Sequence, residues 1–249
     1  MSEPVVKMAG ISKHFGGVEA LQTVDFALHP SEIVGLVGDN GAGKSTLIKI
    51  LSGVYQADEG TIFIEGKKVQ IDNPSEAMRL GIQTIYQDLA LVDQLSVVRN
   101  TFLGRELRLQ GLGRIVGMHD SRKMEKATLS ILECLGVRAD SAFLRQKVRK
   151  LSGGQRQAVA IGKTMIGTPK ILILDEPTAA ISVKERPNVL ALVRRLKEQG
   201  ISSIYISHNL EEVFQVVDRI VVLSRGKVVG DKPISETSNR EIVHLIVKA

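Results

Sequence analysis

Hydrophobic positions along the chain follow two rhythms. In Val24-Asp25-Phe26-Ala27-Leu28 and Thr61-Ile62-Phe63-Ile64-Glu65 the large apolar residues fall on alternate positions, as half-buried antiparallel strands require. Gly16-Gly17, Pro30 and Gly66 punctuate that region as turns. Ile33–Val37, Ile171–Leu174, Ile204–Ile206 and Ile220–Leu223 are instead nearly continuous β-branched or leucine runs. Such runs belong to parallel strands covered on both faces. Helical spacing lies between them, so the pattern predicts an α/β core preceded by antiparallel strands.

The stretch from about Asp88 to Arg149 changes character. Lys123 to Leu135 has helical spacing, with Ala127, Ile131 and Cys134 on one face and Gly136 as the stop. That face predicts a buried, inert Cys134 thiol. Gly104 to Gly117 is glycine-rich and reads as a loop, and Arg145–Lys150 reads as a solvated basic face. The organisation expected is a single domain over 1–249 with a helical insertion at about 88–165. No linker, low-complexity tract or internal repeat interrupts it.

Composition narrows the classes. With 249 residues, 43% of them hydrophobic, the chain can bury a large core. A net charge of +6 is too weak for a dedicated nucleic-acid binder. A single cysteine excludes an intramolecular disulfide framework and a thiolate zinc cage. Six Phe, three Tyr and no Trp argue against a surface built by stacking rings on bases or sugars. No apolar run approaches the roughly 20 residues needed to span a bilayer, and Met1–Gly10, with Glu3 and Pro4, does not read as a secretory signal. The expected location is the cytoplasm.

The chemistry begins at Gly38-Asp39-Asn40-Gly41-Ala42-Gly43-Lys44-Ser45, which fits G-x-x-x-x-G-K-[ST]. It follows the Ile33–Val37 strand and opens a helix at Lys44, Ser45 and Thr46 in which Leu47, Ile48 and Leu51 share a face, stopped by Gly53. Glycines let successive backbone N–H groups curl around phosphate oxygens, and the helix adds its positive end. Lys44 would reach the β- and γ-phosphates, and Ser45 would offer a hydroxyl to Mg²⁺. The run Ile171 to Glu176 ends in two carboxylates: Asp175 for the metal and Glu176 for the attacking water. Leu151-Ser152-Gly153-Gly154-Gln155 then supplies a second anion-binding helix start, capped by Ser152. One triphosphate has one γ-phosphate, and the first loop already cradles it. The second device is therefore expected to serve the nucleotide of another copy, in a head-to-tail pair.

At these residues the chain resembles the ATP-binding cassette family, and the resemblance covers nearly all of it. Leu151–Gln155, placed between the phosphate loop and Asp175-Glu176, is highly specific to cassettes. The resemblance implies a P-loop core with an N-terminal antiparallel β-subdomain and a helical signature subdomain. It further implies that Phe15 stacks on adenine, that Gln87 senses Mg²⁺ and a membrane partner, and that His208 contacts the γ-phosphate. Lys44, Glu176 and His208 would carry catalysis, and Ser45, Gln87 and Asp175 would hold Mg²⁺. One departure stands out. Where most cassettes have Ser-Ala-Leu-Asp, this chain has Ala179-Ala180-Ile181-Ser182, which removes the charge that couples the two sites.

Leu47–Tyr55, Ile85–Leu89 and Ile206–Leu210, with Asn209 after His208, look like ATPases of bacterial ribose, xylose and fructose importers. The resemblance thus implies an ATP- and Mg²⁺-dependent motor subunit that works as a homodimer. Its partners would be a membrane permease seated in a groove beside Gln87 and, indirectly, a periplasmic sugar-binding protein. It would sit peripherally on the cytoplasmic face of the inner membrane. An importer of another small solute and a soluble non-transport cassette remain the alternatives. The separation of Gln87 from Leu151 has no sustained heptads, which disfavours a DNA-repair type.

Overall fold

A computed structural model describes residues 3–109 and 119–248. The described chain forms two compact units. The first comprises residues 1–86, 169–177 and 196–249; the second comprises 87–168 and 178–195. The expected insertion at about 88–165 falls within the second unit, which also takes the later segment.

The first unit contains two sheets among the described residues. The smaller is antiparallel, in the order β2-β1-β4-β5, from β1 (Val6–Phe15), β2 (Val18–Leu28), β4 (Glu59–Ile64) and β5 (Lys67–Val69). Val24, Phe26, Leu28, Ile62 and Ile64 face the core, as the alternation predicts. Register breaks run along the β1–β2 pairing between Met8 and His14. The larger sheet is β10-β9-β3-β8-β7-β6. It is built from β3 (Ile33–Val37), β6 (Ile82–Ile85), β7 (Ile171–Asp175), β8 (Ser202–Ile206), β9 (Arg219–Ser224) and β10 (Lys227–Pro233). All pairs are parallel except β10 with β9, whose register breaks between Val228 and Gly230. Every residue of β3 and β8 is buried, as continuous apolar runs demand.

Helices of the first unit are punctuated locally. In α1 (Lys44–Leu51), Leu47, Ile48, Ile50 and Leu51 are buried. Pro74 sits in the first turn of α2 (Pro74–Arg79), and the Asn73 side chain accepts the Glu76 N–H.

The second unit is helical, with α3 (Val97–Thr101), α4 (Ser121–Cys134), α5 (Ser141–Arg145), α6 (Gly153–Met165) and most of α7 (Arg186–Glu198). Its core gathers Val97, Phe102, Met124, Leu132, Leu144, Val148 and Val159. Val148 is fully buried, so the basic stretch 145–150 carries one core anchor between its charges. Buried Asn100 ties the loop to α3, accepting the Val92 N–H at 2.7 Å and donating to the Val92, Leu95 and Ser96 carbonyls.

Two expectations for this region need revision. The buried face of α4 is Met124, Thr128 and Leu132, not Ala127, Ile131 and Cys134. Positions 124, 128 and 132 repeat every four residues, and the set chosen from apolarity alone is rotated off that stripe. Cys134 is consequently exposed, not buried. The stop at Gly136 is as expected: φ is +72°, Gly136 N–H donates to Glu133 O and Val137 N–H to Leu132 O, both at 2.8 Å, a Schellman motif. Most of the glycine-rich 104–117 loop lies outside the described residues.

Three further helices and turns complete the first unit: α8 (Leu210–Val216), the C-terminal α9 (Asn239–Lys248) and a 3₁₀ turn at Ile234–Glu236.

Candidate functional site

In the first unit, β3 delivers the chain at Val37 into the loop 38–43, and α1 begins at Lys44. Two glycines are obligatory here. Gly38 has φ +152°, and a Cβ there would stand 2.1 Å from Leu223 O. Gly43, the residue before α1, has φ +105°, and its Cβ would stand 2.7 Å from Ala20 O. Gly43 provides no side-chain cap and the first turn of α1 has no acidic residue. The N–H groups at that helix start are therefore available to an anion. Asp39, Asn40 and Gly41 form the exposed rim of the loop and Ala42 its buried floor. Ser45 is exposed and Thr46 half-buried on the first turn. Lys44 arches back over the loop, its Nζ donating to Gly38 O and Asp39 O, each at 2.9 Å. Burial pushes the Lys44 pKa down, and the nearby Glu176, Asp39 and Asp175 carboxylates partly oppose it.

The two carboxylates follow at the end of β7. Asp175 is half-buried, and its pKa is raised, first by burial and then by the neighbouring Glu176 charge; Lys44 and Lys49 pull the other way. Glu176 adopts φ +52°, the left-handed region, which costs a non-glycine residue about 1 kcal/mol or more. The Glu176 N–H donating to Ile206 O at 3.0 Å on the adjacent strand helps hold that turn. His208, two residues past β8, brings Nδ1 to 2.8 Å from Glu176 Oε2. That approach has ion-pair distance but not hydrogen-bond alignment, and Oε2 is otherwise buried without a hydrogen-bond partner. Asn209 caps α8, accepting the Glu211 and Glu212 N–H groups. Asp would cap equally well, so capping alone does not explain Asn at this position.

An expected result follows from Asp175. Its folded pKa lies above the unfolded value of 3.8, so the folded state holds this proton more tightly. The group's contribution to stability is then present below pH 3.8 and lost as pH rises through the folded pKa. Asp175→Asn removes that penalty. Without nucleotide, its thermal midpoint at pH 7 should exceed the native one by roughly 2–4 °C per kcal/mol of penalty relieved, and the gap should close toward pH 4. A midpoint at or below the native value at pH 7 contradicts this.

Phe15 ends β1 and is 43% exposed. Its ring meets Tyr55 edge-on, with centroids 5.1 Å apart and planes at 66°, and Lys13 Nζ lies 5.5 Å above it. Sequence reasoning did not pair Tyr55 with Phe15. His14, given no role from sequence, sits between Glu19 and Asp58 at 3.5 and 3.4 Å.

In the second unit, Ser152 caps α6 in a capping box: its Oγ accepts the Gln155 N–H at 3.4 Å and Gln155 Oε1 accepts the Ser152 N–H at 3.0 Å. Gly153 and Gly154 form the first turn beside Glu185. Gln87 is exposed and is the first residue of this unit, whereas Ser45 and Asp175 belong to the other. The first unit thus brings together Lys44, Asp175, Glu176 and His208, and the second holds Ser152, Gly153, Gly154 and Gln155.

Residues 21–179, from within β2 to the turn after Glu176, match the ABC transporter family. The chain belongs to that family. It is 46% identical over 244 residues to the ribose import ATP-binding protein of Rubrobacter xylanophilus, covering 98% of this chain and 47% of that one. It is 43% identical over 242 residues to the xylose/arabinose import ATP-binding protein of Sulfolobus acidocaldarius, covering 97% and 93%. The chain therefore spans about half the length of the first relative and nearly all of the second. An ATP-binding cassette of an ABC transporter, solved in its ADP conformation, superposes with a TM-score of 0.83 at 26% identity over the whole of both chains. The fold is that of the cassettes: a mixed α/β P-loop core with an antiparallel sheet beside it.

Proposed function

We propose that this cassette is the ATP-hydrolysing motor subunit of a bacterial importer for a monosaccharide, working as a head-to-tail pair of copies on a separate membrane permease. The observation that carries the reading is the division of anion-binding devices. The Gly38–Ser45 loop with Lys44 serves a triphosphate in one copy, and the capped Ser152 helix start serves the γ-phosphate held by the other. Phe15, braced by Tyr55, stacks on adenine. The backbone amides from Asp39 to Thr46 hold the phosphates.

The donor set fits a divalent cation. Asp175 and Glu176 are adjacent, partly buried carboxylates, and the raised Asp175 pKa marks a negative charge short of compensation. Ser45 and Asp175 of the first unit would hold Mg²⁺, which supplies charge neutralisation on the phosphates when bound. Glu176 orients the attacking water and accepts its proton. Lys44 and His208 offset charge that builds on the γ-phosphate.

Among the described residues no helix is long and apolar enough to cross a membrane, so the permease supplies the membrane. Its seat in this reading is a groove of the second unit lined by Leu95, Val98, Arg99, Met124 and Leu144. This lining comes from α3, α4, α5 and the turns beside them and does not include Gln87. The cassette then works on the cytoplasmic face of the membrane, and the sugar is selected by the permease and its periplasmic binding protein.

Composite sites make activity depend on pairing. Without permease, ATPase activity per subunit should rise with protein concentration, and a flat dependence contradicts composite sites. The substrate class is tested by reconstitution with the permease and binding protein encoded beside it. Stimulation of ATPase by a pentose or hexose is expected, whereas stimulation only by a non-sugar solute moves the assignment to another small-solute importer.

A further inference from the structure

We propose that Glu185 is a positioning residue for the signature helix: its carboxylate occupies the Ser152–Gly154 helix start as an internal anion and must withdraw before a partner's γ-phosphate can bind there. The proposal rests on the head-to-tail reading above. Its basis is local to the second unit. Ser182 Oγ donates to Glu185 Oε2 at 3.2 Å. The Ser152 hydroxyl and the Gly154 N–H face the same carboxylate and help to lower its pKa. A Cβ added at Gly154 would stand 3.4 Å from Glu185 Oε1, and one at Gly153 would stand 3.7 Å from Oε2. The carboxylate thus runs alongside the first turn of α6, against the glycines that keep that turn open.

The donors are those of an anion site. The first turn of α6 has no acidic residue of its own, so its positive end is uncompensated within the helix. Glu185 supplies the missing charge from outside. These hydrogen bonds hold its pKa below the usual carboxylate value, the Ser152 hydroxyl contributing most. Ser182 and Glu185 have the S-x-x-E spacing that starts α7, which alone explains a local turn. Local capping does not account for the contacts with Ser152 and Gly154, which belong to another helix.

The unusual Ser182 fits here. An Asp at 182 would repel Glu185 at hydrogen-bond distance. Serine donates to it. The missing charge therefore creates the seat that Glu185 occupies. A γ-phosphate and this carboxylate compete for the same donors and repel each other, so releasing Glu185 is part of the work of closing the pair.

The test is made in a Glu176→Gln background, where hydrolysis does not dissolve the pair. Sedimentation with ATP measures the protein concentration at half dimerisation, and hydrogen exchange without nucleotide measures protection of the Gly154 amide. Adding Glu185→Gln should lower the half-dimerisation concentration by about 5-fold or more, within the range of ordinary site coupling, and should reduce Gly154 protection. Glu185→Asp keeps the charge but shortens its reach, and should shift both readouts the same way; it serves if the Gln variant folds poorly. A purely structural Glu185 predicts the reverse, weaker dimerisation on its removal. Unchanged or weaker dimerisation, with Glu176→Gln itself pairing normally, overturns the proposal and leaves the head-to-tail reading intact. Failure of Glu176→Gln to pair at any ATP concentration overturns both.

Discussion

Glu176→Gln should bind ATP with native affinity, turn it over at least ~100-fold more slowly, and accumulate as a nucleotide-locked dimer. The size of the loss is that of removing a positioned general base. Glutamine retains the shape of the side chain and its carbonyl oxygen, so the backbone turn at φ +52° and the Ile206 hydrogen bond need not move. What it loses is the ability to take a proton and the carboxylate oxygen that His208 Nδ1 approaches to 2.8 Å. Binding should survive because Lys44 and the loop amides are untouched. Pairing should strengthen because one negative charge beside the γ-phosphate has gone. The neighbour responds too: Glu176 is the second cause of the raised Asp175 pKa, so the substitution lets Asp175 ionise more readily. Phosphate release and gel filtration with ATP make the measurement. Native-like turnover assigns the water-activating role elsewhere, and a protein that stays monomeric in ATP removes the basis for paired sites.

Gly38→Ala should be the most damaging glycine-to-alanine change among the described residues. The added carbon would sit 2.1 Å from Leu223 O, a backbone atom of a central strand, and 3.1 Å from Ala42 Cβ. Neither neighbour is the free end of a side chain, so relief requires shifting β9 or the loop. The φ of +152° adds strain that alanine bears badly and glycine does not. A cost of about 3 kcal/mol is in line with core overpacking, which lowers the thermal midpoint by roughly 6–12 °C in a chain of this size. Nucleotide affinity should fall more than stability, because loop N–H groups displaced by even an ångström no longer converge on the phosphates. Thermal unfolding and titration with a fluorescent ATP analogue separate the two effects. Stability within 1 °C of native means the loop is softer than its geometry implies.

The strands and the chemical motifs could be read from sequence because each is a local pattern with its own physical requirement. Continuous apolar runs need cover on both faces, and β3, β7, β8 and β9 have it. Gly38–Ser45 needs a strand before it and a helix after it, and both are there. Ser152 needs only its third neighbour, Gln155, to close a capping box. Other features depend on contacts distant in sequence, and these were not readable. The face of α4 is set by what packs against it, so local apolarity chose Cys134 while packing chose Met124, Thr128 and Leu132. Tyr55 meets Phe15 from 40 positions further along the chain, and no spacing rule links them. Glu185 carries no signal of its own in the sequence, because its approach to the Ser152 helix start exists only once two helices are side by side. The surroundings of His14 are unreadable for the same reason, since Asp58 reaches it from the bend before β4.

The margins of the two sheets bear on the proposed pairing of copies with ATP. A strand with an open side offers unpaired N–H and C=O groups to any similar strand, and such pairing leads to aggregates instead of closed dimers. Here β5 is three residues long and carries Lys67 and Lys68, and β6 is four residues long. The outermost β10 breaks register before Gly230 and ends in Lys232-Pro233, and the long β2 carries Thr23 at φ +51° beside its own register breaks. Each margin is too short, too charged or too irregular to template a neighbour. Concentrated, nucleotide-free protein should accordingly remain dispersed, leaving ATP as the trigger for self-association.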